Sequence, residues 1–145
     1  MAELTPPVLQ QHGLIEAIRW WTGIVRERYG LEVEVSAPET RLPLELPVET
    51  ALFQAAKELL QNAVKHAQAT RASVLLSCDE EGISLTISDN GVGFDPEQTR
   101  TTDSSGFGLF SLRERMSYLG GNVMIESAPG AGTRATISLP MACLD

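Results

Sequence analysis

Residues 48–67 read VETALFQAAKELLQNAVKHA, and the spacing of the apolar positions in this stretch decides the architecture. Leu52, Ala56, Leu59, Ala63 and Ala67 recur at three- and four-residue intervals, which predicts an amphipathic helix from about Val48 to Ala67. Upstream lies a loop punctuated by Pro38, Pro43 and Pro47, and before it Leu31, Val33 and Val35 alternate with Glu32 and Glu34, the pattern of a strand with one wet face. Further back, Leu14, Ile18, Trp21 and Val25 recur at helical spacing between Gly13 and Tyr29, with Gly30 placed as a C-cap. Downstream, Ala72–Ser77 and Ile83–Asp89 flank the polar turn Asp79-Glu80-Glu81-Gly82, a hairpin signature. Leu109, Leu112, Met116 and Leu119 predict a third helix, stopped by Gly120-Gly121. Val123–Ser127 and Arg134–Leu139 form a second hairpin about Ala128-Pro129-Gly130-Ala131-Gly132.

The resulting order, helix–strand–helix–hairpin–helix–hairpin, does not suit a fully parallel doubly wound sheet. The expected fold is an α/β two-layer sandwich of the α+β type: a mixed, largely antiparallel sheet covered on one face by three helices. The segment between Gly91 and Gly108 is rich in Gly, Ser, Thr and Asp; so long a loop in a small domain is functional or disordered, and it is a candidate lid.

A chain of 145 residues with 43% hydrophobic content supports one compact core. Its 11 basic against 19 acidic residues give a formal charge of −8, which opposes binding to a phosphate backbone, so no nucleic acid partner is expected. No apolar run approaches the ~20 residues of a membrane span, so no direct membrane contact of this chain is expected. Cys78 and Cys143 show no metal-ligand spacing and are expected to be free thiols.

Three stretches carry chemistry. Glu58, Asn62, Lys65 and His66 stand at i, i+4, i+7 and i+8, on one face of the second helix opposite its apolar stripe. The Asn62 carbonyl suits Mg²⁺, which takes hard oxygen ligands partly from substrate phosphates, and Lys65 offers a point charge to phosphate oxygens. A solvated helix face is the plain alternative. In the second stretch, Asp89 shares strand parity with Ile83, Leu85 and Ile87, so an apolar face ends in a carboxylate, and Gly91 and Gly93 then allow close approach of a planar ligand. An acceptor at the end of an apolar slot suits an exocyclic amine such as that of adenine; an Asx turn is the alternative. The third, Ser104-Ser105-Gly106-Phe107-Gly108-Leu109, runs into a helix start, where freed amides make an anion site. The Walker and Rossmann glycine patterns are both absent from the sequence.

Together these stretches resemble a family. Glu58 to Ala67 resembles the N box, Asp89 to Phe94 the G1 box and Gly106 to Leu109 the G2 box of the GHKL ATPases, a superfamily that includes the histidine kinases. Lys65-His66-Ala67 and Leu112 to Met116, with Pro6 to Leu9, Gly13-Leu14 and Gly30 to Val33, resemble sensor kinases that pair with NarL/LuxR-type response regulators. The resemblance implies the Bergerat fold, with ATP and Mg²⁺ as cofactors. Residues 1–12 become the end of a linker from dimerisation helices, 13–140 the ATPase domain and 141–145 a tail. It implies that Asp89 takes the adenine amino group, that Gly91 and Gly93 admit the base and the lid, and that Thr133 lines the adenine pocket. Asn62 would hold Mg²⁺ near Lys65 and His66, Gly106, Phe107, Gly108 and Leu109 would serve lid and phosphate, and Glu58 would be the acidic residue of the N box and the candidate catalytic residue, either as a base toward water or as a group that only orients others. The implied partners are a dimerisation and phosphoacceptor domain of the same protein and a response regulator. The expected location is cytoplasmic, for a domain of a sensor that is either membrane-anchored or not. His12 precedes Gly13 and His66 precedes Ala67, so neither has the acidic neighbour of the family's phosphoacceptor, and self-phosphorylation of this chain is not expected. The alternatives are an anti-sigma-factor serine kinase and a non-catalytic nucleotide-binding module.

Overall fold

The computed structural model describes residues 6–65, 68–93 and 109–140. Within them run α1 (Pro7–His12), α2 (Leu14–Tyr29), β1 (Glu32–Ser36), α3 (Leu46–Lys65), β2 (Arg71–Asp79), β3 (Gly82–Asp89), α4 (Leu109–Tyr118), β4 (Asn122–Ser127) and β5 (Thr133–Leu139). The strands form one sheet in the order β1-β2-β3-β5-β4, with β1 parallel to β2 and every other pair antiparallel. This is the mixed, largely antiparallel sheet expected. The parallel pair is joined through α3, because parallel neighbours need a crossover and not a tight turn.

Alternation along the strands sorts the two faces. Ala72, Val74 and Leu76 on β2, Ile83, Leu85 and Ile87 on β3, Val123 on β4, and Ala135, Ile137 and Leu139 on β5 are buried. They share a core with Leu52, Leu59, Leu60 and Ala63 of α3, with Leu112 and Met116 of α4, and with α2. Each such leucine contributes about 1.5–3 kcal/mol by leaving water. The opposite parity, Ser73, Ser77, Ser84, Thr86, Ser88, Thr136 and Ser138 among others, is mostly hydroxyl-bearing and lies on the uncovered face. The edge strands expose Glu32 and Glu34 on β1 and Asn122, Met124 and Glu126 on β4.

Two helix stops follow the expected chemistry. Gly30 takes a left-handed φ of 73° and its N–H donates to the Arg26 carbonyl. Gly120, at φ 85°, and Gly121 turn the chain out of α4 with amide bonds back to Ser117 and Met116.

Helix α1 is additional to the three expected. Gly13, at φ 90°, breaks it from α2, and its Leu9 is fully buried in the common core. The junction is secured by the one buried charged side chain among the described residues, Glu49 on α3, which is 1% exposed. Its Oε2 accepts the Leu14 N–H at 3.3 Å, capping α2, and its Oε1 meets Arg41 at 3.5 Å. Arg41 also donates to the carbonyls of Gln10 and Gln11 at the end of α1. A Cβ on Gly13 would fall 2.6 Å from Arg41 Nε, so the glycine makes room for the guanidinium.

The free-thiol expectation fails at Cys78, which is disulfide-bonded; Cys143 lies outside the described residues. The chain leaves β5 at Leu139, which pairs through Ile83 with Cys78 across the sheet. Sequence spacing does not reveal that the C-terminal segment starts at the end of the sheet that carries Cys78.

Candidate functional site

The strand register brings four residues into one row at the end of the helix-covered face: Ala72 beside Asp89, Asp89 beside Thr133, and Thr133 beside Ser127. Ile83, Leu85 and Ile87 precede Asp89 on that face, so the apolar surface of β3 does end in a carboxylate. Desolvation raises the Asp89 carboxyl above its ordinary value, against the opposing pull of backbone N–H groups from Gly91 and Thr133 that donate to it. The Gly91 bond to Oδ1 measures 2.8 Å. Thr133 is tied sideways as well, its hydroxyl 2.9 Å from that of Ser127, which also donates to the Gly132 carbonyl. The Asx turn is present, Asp89 closing it through Gly91, and the Asp89 side chain has the parity of the core face.

The glycines around this row have a reason beyond room for a ligand. Gly93 is left-handed at φ 70°, and a Cβ there would lie 2.1 Å from the Ala128 carbonyl oxygen. Gly132, at φ 76°, would bring a Cβ to 2.4 Å from the Asp89 carbonyl oxygen. The turn after β3 and the turn between β4 and β5 thus pack backbone against backbone, and the Gly130 N–H donates to the Val92 carbonyl across the same contact.

Sequence reasoning passed over Asn90 as turn material. Its Oδ1 accepts from the amides of Thr70 and Arg71 at 2.9 and 3.0 Å, its Nδ2 donates to the Thr70 hydroxyl, and its own N–H donates to the Arg71 carbonyl. The Ala69 N–H meets the Ala63 carbonyl of α3. Asn90 consequently fastens the chain leaving α3 to the end of β3, and the C-terminal turn of α3 sits at the sheet end that carries Asp89.

Helix α3 presents Glu58 and Asn62, both half-buried, and the exposed Lys65 one turn apart in succession. Leu109 opens α4 and is buried in the common core. Arg115 of α4 crosses to α3, donating from Nη2 to Glu58 Oε2 at 2.8 Å. His66, Gly106, Phe107 and Gly108 lie outside the described residues, as does the candidate lid from 94 onward. Among the described residues no three His, Cys, Asp or Glu side chains gather as a metal cluster.

Residues 47–142 match the model of the histidine kinase-, DNA gyrase B- and HSP90-like ATPase family. The chain belongs to this family. The ATPase domain is 35% identical over 138 residues to the sensor histidine kinase MctS of Rhizobium johnstonii, covering 95% of this chain and 30% of that protein. It is 33% identical to the sensor histidine kinase ComP of Bacillus subtilis, covering 96% of this chain and 18% of the relative. The chain therefore spans under a third of either relative's length. Among solved structures, the ATP binding domain of PrrB from Mycobacterium tuberculosis superposes with a TM-score of 0.64 at 25% identity, over 87% of this chain and 92% of that one. The layered sandwich of this ATPase domain is thus that of a histidine-kinase ATP-binding domain. None of its described helices is long and apolar enough to cross a membrane.

Proposed function

We propose that this ATPase domain binds Mg-ATP and donates the γ-phosphate to a histidine on a dimerisation and phosphoacceptor domain beyond these residues, in two-component signalling with a NarL/LuxR-type response regulator. The location that goes with this is the cytoplasmic side of a sensor, with 13–140 as the catalytic domain, 1–12 leading in from the dimerisation helices and 141–145 as a tail. The observation that carries the reading is Asp89. It is an acceptor-only group at the end of an apolar face, on the row with Thr133 and at the same sheet end as the C-terminal turn of α3. A purine amine entering over the apolar face meets an acceptor there, whereas a purine carbonyl meets a second acceptor and is rejected.

The remaining roles follow from chemistry. Asn62 supplies one neutral carbonyl oxygen, which fits Mg²⁺ arriving with its nucleotide, since that ion takes most of its ligands from phosphate and water. Bound there, the ion would neutralise phosphate charge. Lys65, with His66, supplies cationic and hydrogen-bonding capacity for phosphate oxygens, and Gly106, Phe107, Gly108 and Leu109 are assigned to lid and phosphate contacts. Gly91 and Gly93 shape the turn beneath the base, and Thr133 lines its pocket. Glu58 is the candidate catalytic carboxylate.

Calorimetric titration with ATP and GTP, each with and without Mg²⁺, tests the reading, repeated on Asp89→Asn. Loss of one charge-assisted hydrogen bond weakens ATP by about 1.5–3 kcal/mol, roughly ten- to hundredfold. GTP is expected not to bind. Equal affinity for the two nucleotides, or no effect of Asp89→Asn, overturns the assignment of Asp89.

A further inference from the structure

Glu58 does not stand alone on its helix. The Arg115 guanidinium reaches it from 57 residues away with a 2.8 Å bond to Oε2, and the two side chains are 36% and 35% exposed. An ion pair this open to solvent contributes little to stability, so stability alone gives no reason for it.

Two neighbouring observations bear on the setting of the pair. Arg115 Nε is buried and, among the described residues, has no hydrogen-bond partner, while the Nη2 of the same guanidinium reaches across from α4 to Glu58 on α3. Arg113, two residues earlier, donates to the Val123 carbonyl at 3.0 Å, which pins α4 to β4 and fixes the base from which Arg115 reaches. On the other side, among the described residues no donor meets Glu58 Oε1. One oxygen of the carboxylate is clamped and the other is left to accept.

We propose that Arg115 is the positioning residue for Glu58: by holding Oε2 it presents Oε1 along the face of α3 that carries Asn62 one turn further on. The inference rests on the ATP reading of that face and adds to it a second helix. In hydrolysis of ATP the water oxygen bonds to Pγ while the bond from Pγ to the β–γ bridging oxygen breaks. ADP leaves with that electron pair, and the water proton passes to Glu58 Oε1. A carboxylate free to rotate offers an oxygen to that water in only part of its conformers; one fixed at Oε2 has given up that freedom before the nucleotide arrives. The planar fork of arginine holds such a group in one orientation, which a lysine ammonium does not.

The test measures two quantities for the unaltered chain, Arg115→Ala, Arg115→Lys, Glu58→Gln and the double variant Arg115→Ala/Glu58→Gln: the Kd for Mg-ATP, and phosphate release at saturating Mg-ATP. General-base catalysis contributes about 10²–10⁴ in rate, so loss of its alignment is expected to slow turnover roughly tenfold or more. Arg115→Ala keeps its Kd within about threefold while turnover falls by that amount, the split that marks an effect on the reacting state and not on binding. Lysine restores part of the rate, and the double variant is no slower than Glu58→Gln alone, because both substitutions remove one device. Turnover of Arg115→Ala within about twofold of the parent overturns the inference while leaving the ATP reading intact. A loss in Kd without a loss in turnover, or a double variant whose rate is the product of the two single effects, overturns it as well. Binding without any turnover by the parent removes the step that Glu58 would serve and overturns it too. No binding by the parent sinks the ATP reading itself and the inference with it.

Discussion

Glu49 gives the sharpest test of how the helical layer is held. Substituting alanine removes the acceptor of the Leu14 N–H, which then remains buried at the start of α2 without a partner. An orphaned buried amide costs about 1–3 kcal/mol. The ion pair with Arg41 adds less: its 3.5 Å separation is long, Arg41 is 47% exposed, and the guanidinium keeps its bonds to the Gln10 and Gln11 carbonyls. The sum is ~2 kcal/mol, and with an m-value of about 2 kcal/mol/M for a domain of this size the urea midpoint should fall by ~1 M. Tryptophan fluorescence reads it directly, because Trp20 of α2 stacks on Phe53 of α3 with ring centroids 6.5 Å apart. Glu49→Gln retains a carbonyl for Leu14 and should lose less than half as much. An alanine variant within about 0.5 kcal/mol of the parent would refute the cap, and equal losses for glutamine and alanine would show that the charge, and not the acceptor, holds the junction.

Gly93→Ala should be more damaging than its single added methyl suggests, since both φ 70° and the Ala128 carbonyl oppose a Cβ. A loss of about 2 kcal/mol or more in urea unfolding is expected, with weakened ATP binding; a stability unchanged within error would mean that the two turns separate freely. The pH dependence follows from Asp89, whose folded-state value is raised by burial. Between its ordinary and its raised value the native state binds more protons than the unfolded chain, so the Asp89 contribution to stability grows as pH falls through the raised value. Affinity for ATP should fall over the same window, as the acceptor is protonated. Thermal melting and titration from neutral pH downward measure both, and parallel loss of affinity and of the Asp89 contribution, taken against Asp89→Asn, would contradict the assignment.

What could be read in advance was what repeats locally. The stripe Leu52, Ala56, Leu59 and Ala63 is buried on α3 as its spacing requires, and both hairpins formed where alternating residues met turn sequences. The face that Asp89 takes on β3 follows from strand parity, because a period of two propagates without error over a few residues. What depends on distant partners was not legible. Helix α1 offers a single buried residue, Leu9, in six positions, too few for a period to show. The insertion of β5 between β3 and β4 depends on pairing energies between separated segments. The Arg115–Glu58 and Arg41–Glu49 pairs bridge helices and loops whose mutual placement only the tertiary fold determines. A signal for one of them was present nonetheless: Glu49 stands three residues before Leu52 and seven before Ala56, on the apolar stripe, and a carboxylate there demands a partner.

The two edges of the sheet bear on how this domain behaves in a crowded solution. An unpaired strand is a template onto which another chain can add, and its hydrogen-bonding groups do not discriminate self from stranger. The outer strand β1 places Glu32 and Glu34 at alternate positions, and at the far side β4 carries Glu126 beside the exposed Met124. Two copies approaching edge to edge through β1 would bring like charges together in a molecule that already carries a formal charge of −8. The acidic residues thereby act as gatekeepers, keeping a five-stranded sheet from growing into a continuous one.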